Sequence, residues 1–242
     1  MSRTAIITGA SRGIGAAVAE RLSKDGFSVA VNYVGSEAEA SALVNKITSV
    51  GGQAITAKAD VSNADEVSRM FEVAEKEFGG VDVLVNNAGI MLLSSIGSTD
   101  DTAFDRQIAV NLKGTFNGLR EAAKRLRNGG RIINFSTSVV GLKLETYGVY
   151  AATKAAIEAL TGILSKELRG RSITVNAIAP GPTATDLFLR GKSQELIDRM
   201  AKMNPLERLG TPQDIAAAVS FLAGPDGDWI NGQVLRANGG MI

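Results

Sequence analysis

Two periods of hydrophobic and polar positions alternate along the chain. Short runs rich in β-branched residues recur, and between them lie longer stretches in which apolar residues return every three or four positions. The short runs predict strands at 4–8, 28–33, 53–57, 81–86, 131–136, 172–178 and 233–237. The longer stretches predict helices near 13–24, 36–50, 63–78, 100–127, 148–169 and 212–223. This is the pattern of βαβ units. It predicts an α/β fold: one doubly wound domain with a seven-stranded, mainly parallel sheet and helices on both faces. The last helix carries its own punctuation. Thr211 can cap it, Pro212 suits its first turn, Asp214 faces its positive end, and Gly224-Pro225 stop it.

The alternation breaks once, over residues 179–210. Pro180, Gly181 and Pro182 open this stretch, and an amphipathic run follows with Leu187, Phe188, Leu196, Ile197, Met200 and Met203 on its apolar side. An insertion of this length after the C-terminal end of a strand reads as a lid, placed at about 183–210. No repeat, low-complexity tract or Pro-rich linker interrupts the chain, so residues 1–242 read as a single domain.

Composition narrows the chemistry. Lys and Arg number 26 against 25 Asp and Glu, a net charge of +1 that argues against a nucleic-acid partner. The chain has no cysteine, which excludes disulfides, cysteine-zinc sites and thiol nucleophiles. It has no histidine either, which removes the usual general base and the commonest metal ligand. No metal site is expected. Proton transfer must therefore fall to Tyr, Lys, Asp, Glu or a hydroxyl. Met1 leads straight into an apolar strand without a signal-peptide pattern, and no stretch is apolar enough to span a bilayer, so a cytoplasmic protein with no membrane partner is expected.

Glycine is abundant, with 27 residues, and the first predicted turn concentrates it: Thr8, Gly9, Ala10, Ser11, Arg12, Gly13, Ile14, Gly15. A strand, a glycine-rich turn and a helix N-terminus form a phosphate site, because unpaired backbone N–H groups and the helix dipole converge there. A bland tight turn is the alternative, but the turn's position after the first strand of a βαβ series favours a dinucleotide.

With this G-x-x-x-G-x-G spacing the sequence resembles the short-chain dehydrogenase/reductase family. Further matches follow in the family's order: Asp60-Val61, Asn86-Asn87-Ala88-Gly89, Asn111, Ser138, Tyr150-x-x-x-Lys154 and Pro180-Gly181. The resemblance runs from residue 8 to about 240 and implies a Rossmann-type fold that binds a nicotinamide dinucleotide. Gly9, Ser11, Arg12, Gly13, Ile14 and Gly15 would cradle its phosphates. Asn32 and Tyr33 lie at the end of the second strand, where no carboxylate stands before Glu37. Together with Arg12, a fixed forked cation, this predicts NADP(H) over NAD(H).

By the same resemblance Asp60 accepts from the adenine amino group and Val61 packs on the ring. Asn87, Ala88 and Gly89 line the sheet's edge, and Pro180, Gly181 and Thr183 lie at the nicotinamide, with Thr183 on the carboxamide. Tyr150 and Lys154 are four apart in an alanine-rich helix and share one face. A phenol near pKa ~10 is a poor base, and a nearby ammonium, helped by the positive nicotinamide ring of the oxidised cofactor, favours the phenolate. Tyr150 is then the expected general acid in carbonyl reduction, with Lys154 also binding the nicotinamide ribose. Ser136, Thr137 and Ser138 are all hydroxylated. Ser138 is selected to hydrogen-bond the substrate oxygen because it directly precedes Val139-Val140-Gly141 and stands twelve residues before Tyr150. Asn111 would hold a water that relays protons to Lys154. Tyr147 has no lysine four residues on and reads as a decoy.

Within the family the sequence is most similar to 3-oxoacyl-[acyl-carrier-protein] reductases and related carbonyl reductases, which makes a carrier-bound ketone the leading substrate expectation. Small ketones, sugars or polyols are the alternative, as is a binding protein that senses the cofactor without chemistry. A carrier protein would need a basic docking patch, for which Lys124, Arg125, Arg127 and Arg171 are candidates. The resemblance also implies a homotetramer built through the helices near 100–127 and 148–169 and the last strand.

Overall fold

The structure, a computed structural model, describes residues 2–242. Seven strands form one sheet in the order β3-β2-β1-β4-β5-β6-β7. They are β1 (Thr4–Ile7), β2 (Ser28–Tyr33), β3 (Ala54–Lys58), β4 (Val81–Asn86), β5 (Leu126–Phe135), β6 (Thr174–Pro180) and β7 (Val234–Ala237). Every pairing is parallel, so the sheet is wholly rather than mainly parallel.

Parallel strands need crossovers, and the helices supply them on both faces. Helices α1 (Gly13–Lys24), α2 (Glu37–Ser49) and α10 (Pro212–Ala223) cover one face, packing Val18, Leu22, Leu43, Ile215 and Val219 onto Ile7 and Val31. The opposite face carries α3 (Ala64–Phe78), α5 (Gly114–Arg125) and α7 (Gly148–Glu167), which bring Met70, Phe71, Leu119 and Leu164 against Ile6 and Leu84. Successive residues of β1 thus serve opposite cores, as the two-residue period of a strand requires.

Three sequence expectations change. The helix expected over 100–127 is instead α4 (Asp101–Gln107), a wide π turn over Ile108–Lys113, and α5. It ends at Arg125 because Leu126 leaves the helix to pair with Val81, which starts β5 five residues early; the register then shifts before Arg131 pairs with Val83. The stretch after β6, expected as one amphipathic lid, folds as two short helices, α8 (Asp186–Leu189), capped by Thr185, and α9 (Gln194–Ala201), capped by Ser193, while α6 (Val139–Leu142) is a single turn after β5. Among the described residues no helix is long and apolar enough to cross a membrane.

The order of the strands reverses between β1 and β4, and ligands of such sheets bind at the crevice outside that switch point. The start of α10 is locked as its sequence predicts. The Thr211 hydroxyl accepts from the Asp214 amide at 3.1 Å, and the Asp214 carboxylate accepts from the Thr211 amide at 2.8 Å. Thr211→Ala should therefore cost about 1 kcal/mol, read as a lower urea midpoint at unchanged slope.

Candidate active site

The glycine turn between β1 and α1 is held from beneath. Gly9 and Gly13 take positive φ of 61° and 58°, which side-chain-bearing residues rarely adopt. Asn32 Oδ1 accepts from the Gly9 amide at 3.0 Å, while its Nδ2 donates to the carbonyls of Ala57 and Ala59. Asn87 Nδ2 donates to the carbonyls of Thr8 and Gly9, and the Thr8 hydroxyl accepts from the amides of Asn87 and Ala88. Asn32 thus spends its polar atoms inside the protein and shapes the loop rather than reaching a ligand. The loop has no room for larger residues: a Cβ on Gly15 would come within 2.6 Å of both Asn87 Nδ2 and the Gly9 carbonyl.

This turn forms one wall of a cleft of about 500 Å³. Ser11, Arg12 and Ile14 line it at the α1 end, Tyr33 and Ser36 at the end of β2, and Asp60 and Val61 after β3. Ala88 and Gly89 close it along the end of β4. Arg12 is exposed at the mouth with extended backbone. Burial opposes ionisation of Asp60, but hydrogen bonds from the Ser62 hydroxyl and amide hold its carboxyl below the ordinary value. The cap of α3 is Asn63, so Asp60 stands clear of that role, and Arg106 approaches it to 4.0 Å across the cleft. Arg106 escaped the sequence reading because nothing in its local pattern distinguishes it from a solvated helix residue.

A second cavity, of about 140 Å³, opens from the first and shares Ile14, Asn87, Gly89, Thr185 and Leu187 with it. Tyr150 and Lys154 line it from α7, with Pro180, Gly181 and Thr183 opposite. All the residues expected to bind the cofactor therefore line one of two connected spaces. Ser136, Thr137 and Ser138 add hydroxyls beside Tyr150, and the rest of the second cavity is chiefly apolar, with Met91, Leu142, Leu144, Phe188, Met200, Met203 and Met241. The apolar side of the lid supplies four of its walls, Leu187, Phe188, Met200 and Met203, as its amphipathic sequence suggests; Leu196 and Ile197 do not reach it. Tyr147, read as a decoy for catalysis, is a wall residue whose ring meets that of Tyr150 edge-on at 6.4 Å.

Lys154 is buried, and its Nζ donates to the Phe135 carbonyl at 2.8 Å, where β5 ends. Burial pushes its pKa down to about 8 and pushes the Tyr150 phenol up to about 12. The phenol of the polypeptide is therefore protonated at neutral pH, desolvation being the largest influence, while the expected lowering toward the phenolate belongs to the complex with oxidised cofactor. A protonated phenol is the form that can give a proton to a carbonyl oxygen.

Asn111 sits in the π turn, fully buried. Its Oδ1 accepts from the Ile90 amide at 2.8 Å and its Nδ2 donates to the Ile90 carbonyl at 2.9 Å. The Asn111 side chain thus clamps the loop after β4. It lies close to Lys154 all the same: a Cβ on Gly89 would sit 3.3 Å from Asn111 Oδ1 and 3.6 Å from Lys154 Nζ. Ser138 is equally occupied. Its hydroxyl donates to the Ala179 carbonyl at 3.2 Å and accepts from Asn238 Nδ2 at 3.0 Å.

Comparison with known proteins agrees with this geometry. Residues 9–242 match the family described as Enoyl-(Acyl carrier protein) reductase. The chain belongs to the short-chain dehydrogenase/reductase family. It is 45% identical to NADPH-dependent aldehyde reductase 2, chloroplastic, of Arabidopsis thaliana, over 99% of this chain and 94% of that one. It is 40% identical to a 3-oxoacyl-[acyl-carrier-protein] reductase of Staphylococcus epidermidis, over 100% and 99%. A short-chain dehydrogenase from Burkholderia cenocepacia, solved in complex with NADP, superposes with a TM-score of 0.94 at 36% identity, covering 99% of this chain and 97% of that one.

The braced glycine turn fits a dinucleotide's phosphates: Ser11, Arg12, Gly13 and Ile14 line the cleft at the N-terminus of α1, whose first amides have no partners within the helix. Gly15→Ala should weaken nicotinamide-dinucleotide binding at least tenfold, about 1.4 kcal/mol, measured by calorimetric titration.

Proposed function

We propose that the protein is an NADP(H)-dependent oxidoreductase that reduces an apolar ketone or aldehyde to the alcohol, with Tyr150 as proton donor. The observation that carries this reading is the meeting of two spaces at Gly89. One is a braced dinucleotide cleft, and the other is an apolar cavity holding a protonated phenol beside a buried lysine. A dinucleotide held in the cleft would supply hydride to the carbonyl carbon. Tyr150 gives its proton to the carbonyl oxygen, and Lys154 provides fixed positive charge one helical turn away, toward the ribose side. Asp60 and Val61 support the adenine end, and Thr183 the carboxamide. Arg12 at the cleft mouth, and the absence of a carboxylate between Tyr33 and Ser36, favour the 2′-phosphate of NADP(H).

A freely diffusing carbonyl is favoured over one delivered by an acyl carrier protein. Three of the four basic residues that were candidates for docking a carrier are engaged within the protein; the fourth, Lys124, is exposed and has Glu121 at 3.9 Å. Arg125 pairs with Glu75, Glu121 and Glu72; Arg127 pairs with Asp82; and Arg171 donates to the carbonyls of Ala123 and Leu126. They also cluster where β5 begins, whereas the catalytic groups stand where it ends, roughly 20 Å away at a strand's rise per residue along the paired β4. The apolar lining likewise disfavours sugars and polyols, whose hydroxyls would lose water without finding partners. A family-like homotetramer and a cytoplasmic location accompany this proposal as expectations from the resemblance.

A panel of aliphatic and aromatic aldehydes and ketones, acetoacetyl thioesters and sugars, followed by NADPH absorbance, tests the substrate class. Apolar carbonyls should give the highest kcat/KM; a preference for carrier-bound thioesters would overturn this choice. Tyr150→Phe should lower kcat by about a hundredfold or more while leaving NADPH affinity within a few-fold. Arg12→Ala should raise the KM for NADPH selectively, leaving that for NADH unchanged. Reduction should fall as pH rises through about 8, because Lys154 loses its charge there while Tyr150 keeps its proton.

A further inference from the structure

Three consecutive hydroxyls, Ser136, Thr137 and Ser138, follow β5 and line the substrate cavity beside Tyr150. A hydroxyl has one hydrogen to donate, so the existing hydrogen bonds decide which of them is free to act on a substrate oxygen. Ser136 donates its hydrogen to the Glu158 carboxylate at 2.6 Å. Ser138 donates its hydrogen to the Ala179 carbonyl and uses a lone pair for Asn238. Thr137 differs from both: its Oγ1 accepts from the Val139 amide at 3.3 Å, and no carbonyl or carboxylate of the protein takes its hydrogen. That hydroxyl stands beside the Tyr150 phenol and lowers its pKa, the effect of a donor aimed at the phenol oxygen, so its hydrogen is directed into the site rather than into the protein.

The bonds of Ser138 point to a different purpose. Asn238, which donates to it, also accepts from the amides of Gly240 and Met241 through its Oδ1. Met241 is a wall of the substrate cavity. Gly181 packs so closely beneath this turn that a Cβ there would come within 2.9 Å of Asn238 Cα. Ser138 therefore pins the C-terminal turn against the loop after β6, and the turn in turn shapes the cavity.

We propose that Thr137, and not Ser138, is the second catalytic hydroxyl, donating to the substrate oxygen beside Tyr150, and that Ser138 is a positioning residue which anchors the C-terminal wall. The assignment rests on the carbonyl-reductase reading above. In reduction, hydride from the reduced nicotinamide forms the new C–H bond. The carbonyl π electrons move to oxygen, and that oxygen takes the Tyr150 proton, leaving a phenolate that solvent reprotonates. Thr137 keeps its own proton throughout and stabilises the charge developing on oxygen until the transfer is complete.

Four variants of the full-length protein decide the matter, assayed with the best carbonyl of the panel and checked for folding by thermal melt. Thr137→Val keeps the shape and removes the hydroxyl; it should lower kcat by about 10²-fold or more at near-normal NADPH affinity. Thr137→Ser should recover kcat to within several-fold of wild type, which a merely structural methyl contact would not allow. Ser138→Ala should lower kcat less than tenfold and act mainly by raising substrate KM through a loosened Met241 wall. In alcohol oxidation, where the phenolate is the active form, Thr137→Val should also move the rising limb of the pH profile to higher pH, because the Thr137 bond lowers the Tyr150 pKa.

Loss of kcat in Ser138→Ala equal to or greater than that in Thr137→Val, or failure of Thr137→Ser to recover, would overturn the assignment. Tyr150→Phe separates the two levels of the argument. An active Tyr150→Phe sinks the carbonyl-reductase reading and this assignment with it, whereas a dead Tyr150→Phe beside an active Thr137→Val sinks the assignment alone.

Discussion

The bond from Lys154 Nζ to the Phe135 carbonyl is the constraint on which the site depends. Burying an ammonium is costly unless it is partnered, and here a single carbonyl at the end of β5 partners it. That bond ties the middle of α7 to the edge of the sheet and so places Tyr150, one turn earlier, at the mouth of the substrate cavity. The cost of the burial appears as a lysine held at about 8, and the gain is a fixed charge beside a phenol that burial keeps protonated. In a chain without histidine or cysteine this pair is the proton-transfer device available.

Around the pair, backbone and amide groups do most of the shaping. Asn32 and Asn87 hold the glycine turn from below, Asn111 clamps the loop after β4, and Asn238 ties the C-terminal turn to Ser138. Asn32, Asn111 and Asn238 engage both ends of their amides with protein partners, which fixes rigid walls around the cavity. The lid completes the enclosure with methionine, leucine and phenylalanine side chains. Methionine is adaptable in shape, so these walls suit a class of apolar carbonyls better than one rigid outline.

Much of this was legible in the sequence because it depends on local spacing. The seven strands, the glycine turn and the Tyr150-to-Lys154 step all follow from periodicities that a strand or helix imposes. What could not be read depends on tertiary register. Leu126 fits the helical pattern before it, and only its pairing with Val81 draws it into β5. The π turn that buries Asn111 shifts the helix phase by a fraction of a turn, which no apolar period announces. Among the three hydroxyls after β5, which hydrogen is free depends on Glu158, Ala179 and Asn238, all more than twenty residues away. The charge cluster at 124–127 looked like a docking patch because its glutamate partners lie on other turns or on α3.

The most direct test of the central claim is an NMR titration of Lys154 in protein carrying 13C-labelled lysine, its resonance assigned by comparison with Lys154→Met. A pKa near 8 is the result this account requires, since it marks an ammonium desolvated against the Phe135 carbonyl. A pKa at the ordinary lysine value of 10.5 would mean a solvated amine, and the buried proton-transfer pair would have to be abandoned.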